Sequence, residues 1–256
     1  METTEKVLQG LIELSRRLGD ESKEFVILGE GNTSAKISDS EFFVKASGCR
    51  LGSLASDQVV RVNSALAMKM LDDPELSNIE MRERLKYAMT DKTAKLLPSV
   101  ETLFHAYLLT LPNVNFVAHT HPVSLNSILC AQGWKDAAKG RLFPDEIICC
   151  GASSVYLEYA DPGVPLARAM RAEVEQYIRI HGVRPKAILM QNHGLVALGS
   201  TAKEVESITA MWDKTAKILM GTFHFGGPNF LTDAAVDRIA GRPDEDQRRR
   251  LIEGRE

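Results

Sequence analysis

Apolar residues recur every three to four positions through TEKVLQGLIELSRRL, residues 4–18, and put Val7, Leu8, Leu11, Ile12, Leu14 and Leu18 on one face. That period predicts an opening helix. After the turn-like GEGNTSAK, the segments SAKIS and EFFVKAS are short, rich in strand formers and separated by Asp39 and Ser40, a pattern that predicts a hairpin. Residues 56–72 and 78–95 fit neither period cleanly, and the charged MRERLKYAMTDKTAKL is expected to be a mobile surface excursion. In PSVETLFHAYLLTLPN, Ser99 is placed to cap a helix whose Leu103, Tyr107, Leu108 and Leu111 follow helical spacing and which ends before Pro112.

The strand NFVAHTH follows directly, and a helical pattern resumes over 123–131. FPDEIICCGASSVYLEYADPG is expected to form strands and loops, and ADPGVPLARAMRAEVEQYIRIHG a helix stopped by Gly182. In KAILMQNHGLVALGS two apolar runs flank NHG, which predicts a hairpin with His193 at its turn. Thr201 and Glu204 have capping-box spacing for a helix running to about residue 220. The charged tail from about residue 242, RPDEDQRRRLIEGRE, is expected to be disordered or a terminal helix, and no internal repeat is visible.

Composition narrows this picture. A chain of 256 residues that is 44% hydrophobic can bury a sizeable core, so residues 1–256 are expected to form a single domain. The net charge of -3 mixes both signs along the chain and leaves no basic stripe to track a phosphate backbone. Nucleic acid is therefore not an expected partner. The N-terminal METTEKVLQG has no apolar core with basic flanks, and no window approaches about 18 uninterrupted apolar residues. The expectation is a soluble, unexported chain with no membrane partner. Cys49, Cys130, Cys149 and Cys150 form neither a disulfide framework nor a CxxC knuckle, which fits reduced thiols in the cytoplasm.

The candidate chemistry centres on FVAHTHPVSL. Strand alternation sends His119 and His121 to the same face, where two imidazoles can aim at one point. Two hydrogen-bonded polar side chains on one strand would give the same spacing. A catalytic zinc site needs a third protein ligand and an open position, and His193 at its glycine-flanked turn is the best candidate. His181 and His224 stand in surface-like contexts, whereas His105 lies one helical turn after Glu101 and suits either a core role or support of a site. Glu101 suits the positive end of its helix, and beside a metal, shielded from water, it also suits proton exchange. Gly31, Asn32 and Thr33, the Ser47–Gly48 pair and Ser99 are three places able to hold an anion. Lys45 can add positive charge to them or simply point at solvent as a strand lysine.

GEGNTSAK, VKASG, LPSVETLFHAYLL, VAHTHPVSL and QNHGL stand in the order and rough spacing found in class II aldolase/adducin proteins, and the chain resembles that family over about residues 5–222. The family includes fuculose- and rhamnulose-phosphate aldolases and ribulose-phosphate 4-epimerase. The resemblance implies an α/β fold: a three-layer α/β/α sandwich around a mainly antiparallel central sheet. It also implies a homotetramer with active sites at subunit interfaces. His119, His121 and His193 match the metal ligands, with Zn2+ or another divalent metal such as Mn2+ or Co2+ as cofactor. Glu101 matches the catalytic glutamate; Asn32, Ser47, Gly48 and Ser99 match phosphate-binding positions, with Gly31 beside them.

The implied activity is that of a lyase of carbohydrate metabolism, a metal-dependent aldolase reversibly cleaving a ketose 1-phosphate to dihydroxyacetone phosphate and an aldehyde. The family also holds a 4-epimerase, dehydratases and decarboxylases acting on similar sugar phosphates. A non-catalytic adducin-like interaction module is the alternative of another class, and the presence of all three histidines with Glu101 argues against it. The tyrosine that fuculose-phosphate aldolase takes from a neighbouring subunit has its counterpart here near Pro144, Asp145 and Glu146, where no tyrosine stands. GEGNTS with VKASG is especially similar to the aldolase part of bifunctional rhamnulose-phosphate aldolase/dehydrogenases, and no dehydrogenase part is expected in these residues.

Overall fold

The structure, a computed structural model, describes residues 3–254. In chain order its elements are α1 (Thr4–Leu18), β1 (Asn32–Lys36), β2 (Glu41–Lys45), β3 (Val59–Asn63), α2 (Ser64–Leu71), α3 (Asn78–Ala88) and α4 (Thr102–Leu108). Then come β4 (Phe116–Thr120), α5 (Val123–Leu129), α6 (Trp134–Lys139), α7 (Pro144–Cys150), β5 (Val155–Leu157) and α8 (Val164–His181). β6 (Ala187–Met190), β7 (Gly194–Gly199), α9 (Ala202–Thr222), α10 (Asp233–Ala240) and α11 (Asp246–Glu253) complete the chain.

Among the described residues, the strands form one sheet in the order β3-β2-β1-β4-β7-β6-β5. Every neighbouring pair is antiparallel except β5 and β6. Helices cover both faces, and the period-2 alternation of the strands decides which residue meets which layer. Phe42, Val44, Val117, Ile188, Met190, Val196 and Leu198 face a core shared with α2, α3, α4 and α8. Their neighbours Phe43, Phe116, Ala118, Ala187, Leu189, Leu195 and Ala197 face α1, α5 and α9. The fold is thus the expected α/β/α sandwich, and its central strands β4, β6 and β7 are buried on both faces because both are covered. Among the described residues no helix is long and apolar enough to cross a membrane.

Several expectations hold in detail. β1 and β2 pair as a hairpin with Ser34 opposite Val44. β6 and β7 pair around a turn that carries His193. The charged tail contains α11, which docks through the Lys186–Glu253 pair at 3.1 Å and through Thr201 Oγ1, which donates to the Glu253 carbonyl. The four cysteines are free thiols.

Other expectations are corrected. FPDEIICC is not strand but α7: Pro144 occupies the first turn, with Asp145 and Glu146 beside it, and Gly151 (φ 87°) ends the helix. The apolar IICC run fits a buried strand or a buried helix turn equally, and the terminal residues decide for helix. The supposed surface excursion is ordered as α3 through Ala88, with Met81 and Leu85 buried in the core. Ser99 is not the residue next to the helix; α4 begins at Thr102 with Glu101 at its N-cap. Glu204 reaches one residue further back than a capping box requires, accepting from Ser200 N at 2.7 Å.

Candidate functional site

The site lies where β4 and β1 run beneath α4. In the antiparallel register Asn32 stands opposite His119, and Asn32, Ser34 and His119 face the α4 side of the sheet, as Val117 does. α4 answers with Glu101 at its start and His105 one turn later, both buried. His193 enters from the β6–β7 turn, which is held by Asn126 Nδ2 donating to the His193 carbonyl at 3.0 Å. Gly194 lets that turn close: a Cβ there would stand 2.4 Å from the Thr120 carbonyl oxygen and 2.8 Å from His121 Cδ2. Gly31 (φ +68°) likewise allows the β1 entry to lie on the His119 carbonyl, 2.8 Å from where a Cβ would be.

Three imidazole nitrogens converge. His119 Nε2 lies 2.9 Å from His121 Nε2 and 3.2 Å from His193 Nε2, and the ligating atoms of all three fall within 4.8 Å of one another. Hydrogen bonds on the far ring nitrogens fix what these atoms can do. His119 Nδ1–H donates to the Leu195 carbonyl at 3.0 Å, and His121 Nδ1–H donates to Glu30 Oε2 at 3.0 Å. Carbonyls and carboxylates only accept, so the Nε2 atoms of His119 and His121 present lone pairs. Burial, reinforced by the neighbouring His121 and His193, holds His119 well below the usual histidine range; burial pushes His193 down to about 4. Three imidazole nitrogens converging on one point fit a divalent ion.

Glu101 sits against this cluster. Its carboxylate oxygens lie 3.6 Å from His119 Nε2 and 3.5 Å from His193 Nε2. Asn32 Nδ2 donates to Glu101 Oε2 at 2.6 Å and to Ser99 Oγ at 3.3 Å, so both side-chain donors of Asn32 are engaged. Burial raises the Glu101 carboxyl above the ordinary range, partly opposed by the Asn32 hydrogen bond. Behind Asn32, His105 Nε2 donates to Asn32 Oδ1 and His105 Nδ1 accepts from Ser34 Oγ at 2.7 Å. The chain Ser34–His105–Asn32–Glu101 therefore has one direction of donation throughout.

Burial pushes His105 down to about 3, against 6.5 for a free histidine. The folded state thus binds fewer protons between those values, and the stability tied to neutral His105 is full above 6.5 and lost as pH falls toward 3. In metal-free protein, His105→Gln is expected to give a shallower fall of melting temperature over that acid range. An unchanged slope would contradict a buried neutral imidazole.

Most of the anion-binding candidates also come together; Thr33 does not, its hydroxyl pairing with Ser15 Oγ at 2.7 Å on the α1 side of the sheet. An isolated bridge pairs Ala46 with Pro98, Ser99 N donates to the Lys45 carbonyl, and Ser47 N donates to the Leu97 carbonyl. This sets Ser47 opposite Leu97 and Ser99 opposite Lys45 on one short ladder, and Gly29 approaches Gly48, a Cβ on it lying 3.1 Å from the Gly48 oxygen. Ser47 and Gly48 are exposed, whereas Gly31, Asn32 and Ser99 are buried. Ser99 Oγ accepts from Asn32 Nδ2 and Glu101 N, which leaves its own proton to donate.

Two further residues contribute: Lys45, weighed in the sequence between added positive charge and a solvent-facing lysine, and Glu30, which the sequence reading did not single out. Lys45 is buried, with Nζ donating to the carbonyls of Cys49 (2.6 Å), Ala46 (3.2 Å) and Gly29 (3.4 Å) rather than pointing at solvent. It ties the two glycine loops together. Glu30, unremarked in its glycine turn, contacts His121 from 91 residues away, and its sequence signal is no more than an acid flanked by glycines. His181 and His224 are exposed, as expected.

A family model described as Class II Aldolase and Adducin N-terminal domain matches residues 9–220. Over 183 residues the chain is 28% identical to a Bacillus subtilis protein described as the uncharacterized oxidoreductase YuxG; the match takes in 68% of this chain but only 24% of that protein. A 3-oxo-tetronate 4-phosphate decarboxylase of Haemophilus influenzae is 25% identical over 85% of this chain and 89% of its own length. A methylthioribulose-1-phosphate dehydratase of Geobacillus kaustophilus is 29% identical over 62% of this chain and 81% of its own. Among solved structures, an L-fuculose 1-phosphate aldolase superposes with a TM-score of 0.68 at 18% identity, covering 94% of this chain and 96% of that one. This last likeness establishes the fold.

Proposed function

Because the chain belongs to the class II aldolase and adducin family, we propose that it is a metal-dependent aldolase that reversibly cleaves a ketose 1-phosphate to dihydroxyacetone phosphate and an aldehyde. The observation that carries this reading is the buried Glu101 carboxylate, 3.5 and 3.6 Å from two nitrogens of a converged histidine triad. His119, His121 and His193 would hold the ion, with Zn2+ the expected one. A divalent ion bound there supplies Lewis-acid polarisation of the substrate ketone.

The chain's own residues do the rest. In cleavage the bond between C3 and C4 of the ketose breaks, its electron pair remains on C3, and the C4 hydroxyl gives its proton to solvent water as the aldehyde forms. Glu101 delivers a proton to C3, and in the reverse direction removes it. A carboxyl whose affinity for protons is raised by burial suits both steps, since it accepts the proton more readily than an exposed carboxylate and can return it. Asn32 fixes the Glu101 carboxylate, and His105 fixes the Asn32 amide. Ser47, Gly48, Ser99 and the Gly31–Asn32 entry of β1 hold the phosphate, which makes the reaction effectively intramolecular. A homotetramer with the site at a subunit interface is part of this proposal; the exposure of Ser47 and Gly48 leaves room for a neighbour.

Ser99→Asp tests the phosphate assignment, because it places a carboxylate where the hydroxyl proton would donate. KM for a phosphorylated substrate is expected to rise by about 10- to 100-fold, the worth of a hydrogen bond to a charged group. Metal content should not change. An equal rise for an unphosphorylated analogue would remove Ser99 from the phosphate site.

A second reading, decarboxylation or dehydration of a sugar phosphate, is favoured by the two relatives named for those reactions. It uses the same metal and phosphate grip and differs in what leaves the substrate: carbon dioxide or water in place of an aldehyde. Product identity therefore separates the two, with dihydroxyacetone phosphate release expected from a ketose 1-phosphate.

A further inference from the structure

We propose that Glu30 is a positioning residue that holds His121 in its metal-ligating state and thereby sets the affinity of the site. The proposal rests on reading the histidine triad as a metal site. It does not depend on which reaction that site performs.

Glu30 lies in the turn before β1, and its two oxygens have different partners. Oε2 accepts from His121 Nδ1 at 3.0 Å, and Oε1 accepts from the Ile27 amide at 2.5 Å. The first contact places the imidazole proton on Nδ1 and turns the Nε2 lone pair toward His119 and His193. The second fixes the carboxylate itself, since the turn is closed again by Glu30 N donating to the Ile27 carbonyl at 3.3 Å. His121 needs this support more than His119 does. His119 is buried and held by the Leu195 carbonyl on the neighbouring strand, whereas the His121 side chain is 21% exposed and stands just past the end of β4. A negative oxygen on the far nitrogen also makes the imidazole a stronger donor to a cation, which a carbonyl does less well.

Only a carboxylate satisfies both partners. Each N–H needs an acceptor, and glutamine has one acceptor oxygen and one amide that can only donate. Glu30→Gln must therefore surrender either Ile27 or His121, and Glu30→Met, of similar length, surrenders both.

The test is zinc affinity, measured by competition with a chromophoric chelator on the full chain, with the melting temperature of each metal-free protein recorded alongside. Loss of such a support typically costs 10- to 100-fold in affinity. Kd is expected to rise by about 10-fold in Glu30→Gln and toward 100-fold in Glu30→Met, with metal-free melting temperatures close to wild type. Glu30→Ala serves the same comparison should Glu30→Met fail to fold. A role confined to stabilising the turn would lower the metal-free melting temperature and leave Kd unchanged, and that result overturns the proposal. If wild-type protein takes up no zinc, the metal reading itself fails and Glu30 falls with it; wild-type uptake with unaltered variants sinks Glu30 alone.

Discussion

Glu101→Gln protein is expected to exchange the hydroxymethyl hydrogen of dihydroxyacetone phosphate for deuterium about 100- to 10,000-fold more slowly than wild type, the range lost with a general base. Glutamine keeps the shape of the side chain and can still accept from Asn32 Nδ2, so the fold and the metal site should survive. What it loses is the proton-carrying carboxylate beside the triad. Proton exchange in heavy water, followed by NMR, reads this step without a known aldehyde. Equal rates in both proteins, with metal bound in both, would take the base away from Glu101. An adducin-like module that needs no base predicts no exchange at all in wild type.

Removal of the imidazoles is expected to have the other large effect. His119→Ala, His121→Ala and His193→Ala should each weaken zinc by more than about 100-fold, since even the loss of a group that merely orients a ligand costs 10- to 100-fold. The triple variant should bind no measurable zinc. Chelator-treated wild type should lose its activity and regain it with a divalent ion. Metal analysis after dialysis checks the stoichiometry, expected to be about one ion per chain. Wild-type content in the triple variant would place the metal elsewhere.

Local physics made much of this legible in the sequence. A strand's alternation placed His119 and His121 on one face, and the hairpin between apolar runs placed His193 at a turn. Glu101 and Ser99 were visible as the polar start of an apolar helix, although the first turn begins at Thr102. α7 was missed because four apolar residues carry no period long enough to tell helix from strand. α3 was missed because its charged residues break up the apolar ones, of which only Met81, Leu85 and Ala88 are buried. The polar support of the site was hidden for another reason. Glu30 acts across 91 residues on His121, and His105 acts across 73 on Asn32. Such contacts depend on strand register and helix placement, neither of which a local pattern specifies. Lys45 shows the same limit, because strand period alone does not say that a lysine will end beneath two glycine loops.

The most direct measurement is release of dihydroxyacetone phosphate, by a coupled reductase assay, from a panel of ketose 1-phosphates incubated with zinc-loaded wild-type protein. The account predicts release from at least one member, dependent on zinc and lost in Glu101→Gln. Zinc-loaded protein that releases none across the panel, yet yields carbon dioxide or water from a sugar phosphate, would contradict it.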